Sequence, residues 1–520
     1  MHLGNLSLRA VVFGIALVAA QTASAQNAEN LDNSTCLGCH GSEGLSARDA
    51  GGSIHSLFVP ADRFADSVHG KALRCVDCHT AISELPHKEV PKTPADWARM
   101  RLDLNKNCGN CHADAWRSYA ETYHGAVALL GYGETATCSD CHGTHAIRPV
   151  GDPSSRASPA NILQTCRNCH ADATAGFATF QSHATTDDFA RYPYMWIASK
   201  FVIVAVGGVL VFFLIHSALW FYRELRDRQQ GEVRPHVRAD ALPRGQGRYV
   251  RRWSALWCWV HLLFAVSIIL LVMTGIALLY PDTAWAWILE RALGGPRIAG
   301  ILHRAAAIVM MAVFAWHIVY ILVHIARNWS TFKLFGPYSL MPNLQDGRDF
   351  LAMFKWFFGR SPRPTFDHWT YQQKVDYWAP FWGITLLAAT GVMLWFTALT
   401  AAYLPGWTFN VAAVVHGDEA LLAAIYLFTV HYFSNHWRPD KFPLDTVIFT
   451  GAMPLEEFKR EYAVEYSRLV ETGELKKYLV DAPSRPMTLA SKVLGFALVA
   501  VGVALLAMML SGIGRNLAAG

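Results

Sequence analysis

The sequence predicts a mainly α protein in two parts: a small, loop-rich segment carrying paired cysteines, then a six-span transmembrane helical bundle. Three observations predict it. Ten of the 11 cysteines fall in five Cys-x-x-Cys-His motifs before residue 171. Beyond residue 195, six apolar stretches each reach the roughly twenty residues that a bilayer crossing needs. The connections between those stretches alternate between strongly basic and nearly uncharged. Composition agrees. The 520 residues are 52% hydrophobic and only 16% charged, with 18 Trp. That is too apolar for an ordinary soluble protein and suits a membrane protein with a soluble part. There is no basic run of the kind that grips nucleic acid, so no nucleic-acid partner is expected.

Residues 1–25 hold Arg9, an apolar run over 10–20 and the small residues Ala23, Ser24 and Ala25. This reads as a cleavable secretory signal peptide, since the run is short for a span. The segment from 26 to 195 is therefore expected outside the cytoplasm.

Within it the motifs are Cys36/Cys39/His40, Cys75/Cys78/His79, Cys108/Cys111/His112, Cys138/Cys141/His142 and Cys166/Cys169/His170. Two thiols three positions apart reach the two vinyl groups of one haem, and the next residue, histidine, lies against the iron. Zinc would not require a histidine after every second cysteine, and disulfides would not require this spacing throughout. Five covalent c haems are expected, as a pentahaem cytochrome c domain. So few residues bury little core of their own, so the porphyrins must serve as the core. Two pieces repeat, Phe64-A-D-S-V-H-G and Tyr119-A-E-T-Y-H-G, each placing a histidine before glycine and ahead of a motif. This resembles the multihaem c-type cytochromes of bacterial respiration, in which such a histidine is the sixth iron ligand, often of a different haem. His69 and His124 are the leading distal candidates, with His55, His87, His145 and His183 as the others. Fourteen Lys+Arg face nineteen Asp+Glu over 26–195. An acidic exported face would attract a basic redox partner.

The expected spans are 201–221, 256–280, 302–325, 378–399, 411–433 and 493–513. The connection 222–254 carries nine arginines, 326–376 seven Lys+Arg and 437–489 eight, while 281–300 has two and 401–410 none. Basic loops face the cytoplasm. The first span (domain 196–224) then runs inward, in agreement with an exported amino-terminal segment. Residues 437–489, including the amphipathic stretch from Pro454 to Tyr462, are a cytoplasmic segment, and 490–513 is the last span. The expected location is the bacterial inner membrane, with the motif domain in the periplasm.

Ionisable side chains inside a membrane are costly and usually functional. His303 and His317 lie fourteen residues apart on the third span, close to four turns, so they share a face about 21 Å apart along the axis. His416 and His431 repeat the device on the parallel fifth span. His303 and His416 form an outer pair that suits one b haem. For an inner b haem three histidines compete: His431 with either His317 or His261, the latter on the second span. His216, His324 and His436, near cytoplasmic span ends, are expected to be interfacial.

Residues 250–470 carry a second resemblance. It rests on R-W-S-A-L-W-C-W-V-H from Arg252, Thr274-Gly275, L-H-R at Leu302–Arg304, Q-K-V-D-Y-W at Gln373–Trp378, H-G-D-E-A-L-L-A from His416 and V-H-Y-F at Val430–Phe433. Together these are similar to the di-haem b-type cytochrome subunit of formate dehydrogenases and Ni-hydrogenases. The resemblance implies a cytochrome b bundle over 250–436, an outer haem on His303 and His416, an inner haem on His261 and His431, and a quinone site beside the inner haem. His317 is an addition to that pattern, and a third b haem would give it a role. Asp418 and Glu419 at the outer edge, and Lys374, Asp376 and Tyr377 at the inner edge, are the quinone-site candidates. The expected function is respiratory electron transfer between the quinone pool and a periplasmic donor or acceptor protein. The competing expectations are an electron-wiring and anchoring subunit, or a terminal reductase at an open c haem.

Overall fold

The computed structural model describes residues 31–87, 91–232 and 248–519. The expected signal segment lies outside them. The chain divides into two compact units, 1–178 and 179–520.

The first unit is built from short helices and loops. Its elements are α1 (Asn33–His40), a hairpin of β1 (Ser46–Arg48) and β2 (Ile54–Ser56), α2 (Ala61–Ala65) and α3 (Cys75–Cys78). Then come α4 (Pro94–Cys111), α5 (Ala113–Ala120), α6 (Tyr123–Leu129), α7 (Cys138–His142) and α8 (Ile162–Arg167). Capping starts several of these helices where the chain has few apolar residues to do so. Thr93 accepts from the Asp96 amide with proline in the first turn, Asp32 accepts from Thr35, and Thr122 from Gly125. Most buried apolar side chains of this unit, such as Tyr119, Ala126, Val127 and Leu130, lie on α5, α6 and the residue after α6.

Among the described residues the second unit holds six helices long and apolar enough to cross a membrane. They are α9 (Pro193–Gln229), α10 (Ala255–Leu279), α12 (Pro296–Arg327), α14 (Tyr371–Trp395), α16 (Trp407–Tyr426) with its continuation to Trp437, and α21 (Arg485–Ala519). Helices α10, α12, α14 and α16 pack in a ring; α9 lies along α16, and α21 against α10 and α16. Side chains such as Val204, Ile215, Val319 and Val493 are 56–74% exposed, an apolar surface that only lipid would cover well.

The fifth span departs from the regular helix expected. Leu427–His431 and Phe433–Trp437 wind as π-helix, a form concentrated at functional sites. Between the spans lie α11 (Ala284–Ala292) and α15 (Thr397–Tyr403) at one end, here the rim. At the other end, the floor, are α13 (Leu344–Phe357), α17 (Val447–Thr450), α18 (Leu455–Glu461), α19 (Ala463–Glu471), α20 (Leu475–Tyr478) and a three-stranded sheet. In that sheet β3 (Tyr249–Arg251) pairs antiparallel with β4 (Ala452–Pro454) and β5 (Leu479–Val480). A core of Trp220, Trp356, Phe357, Phe366, Tyr371 and Phe458 ties the floor to the spans. Ions reinforce it. Arg438 binds Asp440 and Glu461, Arg363 binds Glu224 and Asp440, and Lys441 binds Asp445, Glu457 and Glu461.

Candidate functional site

In the first unit the motifs sit at helix ends, where one helical turn brings two cysteines three apart to the same face. Where the histidine follows the helix, its amide closes that turn on the first cysteine's carbonyl, His79 on Cys75, His112 on Cys108 and His170 on Cys166, each at 2.9 Å. In the first and fourth motifs the histidine, His40 or His142, is itself the last helical residue, and beyond α1 the Cys39 carbonyl accepts from the Ser42 amide at 3.1 Å. The ten thiols do not share one degree of burial. Cys36, Cys75, Cys138, Cys141 and Cys166 are half-buried, whereas Cys39, Cys78, Cys108, Cys111 and Cys169 are exposed. The second thiol of every motif except the fourth opens outward, Cys39 included, because a unit with so few apolar side chains has none to lay over it.

Motifs adjacent in sequence are also adjacent in space. Asn33, three residues before Cys36, accepts from the Cys75 amide at 2.8 Å. Asn105, three before Cys108, accepts from the Cys138 amide at 2.8 Å. The first four motifs are thus two copies of one bridged pair. The thiols feel each other: burial, then the neighbouring Cys36, pushes Cys75 up to about 11, while a hydrogen bond from Cys138 draws Cys108 down to about 7.

Four motif histidines face a second histidine at nearly constant separation. Ring centroids are 6.0 Å apart for His40 and His87, 6.0 Å for His69 and His112, 6.1 Å for His79 and His145, and 6.1 Å for His124 and His170. Two imidazoles sharing a proton at about 2.8–3.0 Å would bring the centroids to about 5 Å. Two bound to one metal ion from opposite sides, with bonds of about 2.0–2.1 Å, put them about 6.2 Å apart. The spacing therefore fits a metal between each pair and no direct bond. Burial lowers the basicity of His79, His124 and His145, favouring the neutral imidazole that ligates metal.

The repeat around His69 and His124 has a local cause. The amide of Gly70 bonds Ser67 Oγ at 2.9 Å and that of Gly125 bonds Thr122 Oγ1 at 3.1 Å. A Cβ at Gly70 would lie 1.9 Å from the Phe64 carbonyl oxygen, and one at Gly125 would lie 2.0 Å from that of Tyr119. Glycine lets the turn close and fixes the histidine before it. His55 belongs elsewhere: it stacks on Trp97 at 3.9 Å and bonds Asp49 at 3.0 Å. His142 ends α7, and His183 is exposed in the second unit, ahead of α9.

The second unit repeats the spacing within the bundle. His303 on α12 and His416 on α16 have centroids 6.3 Å apart near the rim. Each is held from behind by a threonine on a neighbouring helix. His303 Nδ1 lies 2.8 Å from Thr274 Oγ1, and His416 Nδ1 lies 3.0 Å from Thr390 Oγ1. Both threonines donate their own hydrogen to a carbonyl four residues back, Leu270 and Leu386. The bond to histidine must then run from Nδ1–H to the hydroxyl oxygen, which leaves Nε2 bare as a ligand. Each threonine precedes a glycine. A Cβ at Gly275 would meet His303 at 3.8 Å, and one at Gly391 would meet His416 at 3.1 Å.

At the floor, His261 on α10 has His431 and His436 as interacting neighbours. Asp376 of α14 links to this group, its Oδ2 3.3 Å from His431 Nδ1 and its Oδ1 accepting from Tyr426 Oη at 3.2 Å. His317 instead faces Tyr377, Nε2 to Oη 3.0 Å, beside Trp257 and Phe381. Lys374 is buried and paired with Asp346 at 2.9 Å, tying α14 to α13. Asp418 accepts from Ser199 of α9 at 3.3 Å. Glu419 is 2% exposed, and its Oε2 has no hydrogen-bond partner among the described residues. The expectation of interfacial histidines needs correcting for two of the three. His216 is buried against Tyr371 Oη at 2.6 Å and His436 is buried in the π-helical tract, because the floor elements cover both; His324 is exposed. An open apolar cleft of about 360 Å³ runs between α9 and that tract, lined by Leu214, Phe221, Thr429, Phe433 and Trp437.

Sequence reasoning missed Thr390-Gly391, Asn33 and Asn105. The signals were present as a second Thr-Gly pair on an alternate span and as asparagine three before the first cysteine of alternate motifs. Compared with known proteins, the chain matches no family model, no curated protein and no solved structure.

Proposed function

We propose that this chain carries electrons between the quinone pool and a periplasmic partner through five covalent c haems and two b haems in the bacterial inner membrane. The observation that carries the reading is the histidine spacing. Four of the five motif histidines, and the half-buried pair His303/His416, each stand 6.0–6.3 Å from a second imidazole. In the first unit the thiols would attach the porphyrins, and His40/His87, His112/His69, His79/His145 and His170/His124 would hold iron from both sides. Exposed thiols such as Cys39 suit that role, since a porphyrin lying over them would supply the cover the chain does not. In the bundle His303 and His416 would hold one b haem. His261 and His431 lie at the floor ends of packed helices, α10 and α16 with its continuation, and that placement supports them for the second.

Haem supplies one-electron redox chemistry when bound, and the protein's part is to ligate, orient and exclude water. Two imidazoles at each of those four motifs and at the rim pair would leave no position for a substrate there, which suits relays. The chain of adjacent motifs supports passage from one to the next. Asp376 and Tyr377, near the floor histidines, and the apolar cleft beside the π-helical tract suit a quinone that exchanges protons at the floor. The resemblance to the b-type subunits of formate dehydrogenases and Ni-hydrogenases points the same way.

The test is a haem count on the purified protein together with quinol-driven reduction. Five covalent and two acid-acetone-extractable haems, reduced by quinol and blocked by a quinone-site inhibitor, support the reading. Absence of extractable haem overturns it. Haems that ignore quinol yet fill from a co-purifying enzyme select a wiring subunit instead.

A further inference from the structure

The two membrane histidine sites are held by partners of opposite electrical character. At the rim both Nδ1 atoms meet neutral hydroxyls, Thr274 at 2.8 Å and Thr390 at 3.0 Å. Arg304 is next to His303 in the chain, and its guanidinium lies 5.6 Å from the Trp395 ring. Asp418 and Glu419 share this end, but Asp418 accepts from Ser199 and both rim Nδ1 atoms are already taken by threonine. At the floor, His431 Nδ1 meets a carboxylate, Asp376, at 3.3 Å. The amide of Asn435 also lies 3.3 Å from this nitrogen, but it donates to the His431 carbonyl at 2.9 Å. The nearby cation Lys374 is committed to Asp346.

A carboxylate behind an imidazole raises its basicity as a ligand, and a neutral hydroxyl does so much less. A more basic nitrogen favours the more oxidised state of the metal it binds. We propose that Asp376 is a positioning residue that gives the floor site the lower of the two membrane potentials, while Thr274, Thr390 and Arg304 keep the rim site higher. An electron is then held less tightly at the floor than at the rim, and its downhill direction within the membrane is outward. The inference rests on the haem reading above and adds the direction, which that reading leaves open. Tyr426 tempers the effect, because its hydroxyl draws on the same carboxylate.

The experiment is optical potentiometry of the b bands in purified full-length holoprotein. Wild type should show two b transitions, and the lower one should survive in His416→Leu, which removes the rim site. Asp376→Asn should raise the lower transition alone, by about tenfold in the reduction equilibrium, which is 59 mV for a one-electron couple. Tyr426→Phe should move the same transition the opposite way, because it frees the carboxylate. Thr390→Val should move only the upper one. Loss of the lower transition in His416→Leu, or an unmoved lower transition in Asp376→Asn, overturns the proposal. If Asp376→Asn fails to retain floor haem, Tyr426→Phe decides: a downward shift supports the proposal, and no shift or an upward one overturns it. A wild-type protein without extractable haem is a separate result, and it removes the haem reading itself.

Discussion

On the haem reading proposed above, replacing Gly125 by alanine should detach one distal ligand while leaving every haem covalently attached. A Cβ there would stand 2.0 Å from the Tyr119 carbonyl oxygen, 2.6 Å from its carbon and 2.7 Å from the Ala120 Cα. All three are backbone atoms, so no side chain can swing aside. Carbon and carbonyl oxygen rest at about 3.3–3.6 Å even in close contacts, so the start of α6 must shift by more than about 1 Å. A metal–ligand distance tolerates about 0.2 Å. His124 is the residue before Gly125, and its ring is 6.1 Å from that of His170; a shift of about 1 Å takes it out of bonding range. Overpacking of this kind also costs about 1–3 kcal/mol of stability. The assay is covalent haem by pyridine haemochrome, with spin state followed by magnetic circular dichroism. The covalent count should stay at five, because Cys166 and Cys169 are untouched, while one more c haem than in wild type turns high-spin. As many low-spin haems in the variant as in wild type, at wild-type stability, would refute the argument. Gly70→Ala should act in the same way on the haem of Cys108 and Cys111.

Other outcomes follow from the geometry. His303→Leu or His416→Leu should lower extractable haem from two to one and leave covalent haem unchanged, measured on the same preparation. The imidazole planes of His40/His87 and His79/His145 lie at 12° and 17°, against 44–58° for His124/His170, His69/His112 and His303/His416. Near-parallel rings should therefore give ordinary rhombic electron paramagnetic resonance signals and crossed rings strongly anisotropic ones. Arg252 is buried with Glu465 at 2.9 Å, so Arg252→Leu leaves that buried carboxylate with His368, at 2.6 Å, in place of a guanidinium and should cost at most about 3–5 kcal/mol, read as a lower Tm in detergent. Burial alone would raise Glu461, but Lys441 and Arg438 outweigh it and hold its carboxyl at about 2. Being depressed below its ordinary 4.5, it stabilises the floor above that pH. The contribution should fade as pH falls from 4.5 towards 2, and a pH series of Tm on Glu461→Gln should flatten there.

The sequence carried the six spans, because twenty apolar residues between alternating basic loops have few other readings. It also carried the thiol motifs, which are local. How far each thiol is covered was not legible, since Cys39 and Cys141 hold the same place in their motifs yet differ in what packs around them. Ligand pairing was less legible still, since it depends on which loops approach each other. His69 and His124 announced themselves through a repeat, yet the repeat does not say that His69 would face His112 while His124 faces His170. His87 and His145 had no signal beyond being histidine. His55 was as good a candidate until Trp97 and Asp49 claimed it. Within the bundle, helical spacing paired His303 with His416 but could not choose between His261 and His317. That choice depends on the rotation of α10 and α12 and on Tyr377, which meets His317. The burial of His216 and His436 was invisible because the floor that covers them is assembled from segments more than a hundred residues apart.

The wide winding after Tyr426 has a consequence for how the two levels of the bundle are aligned. In a regular α-helix the fifteen residues from His416 to His431 make four turns and about 60° more, so the lower imidazole would swing away from the line of the upper one. Each π-helical residue advances the rotation less, and Leu427–His431 takes back part of that excess. The tract works as a phase adjuster, setting the bearing of the lower level without disturbing the upper. Removing one residue between Leu427 and His431 would let the ordinary pitch return and turn His431 towards a different wall, while His303 and His416 keep their places.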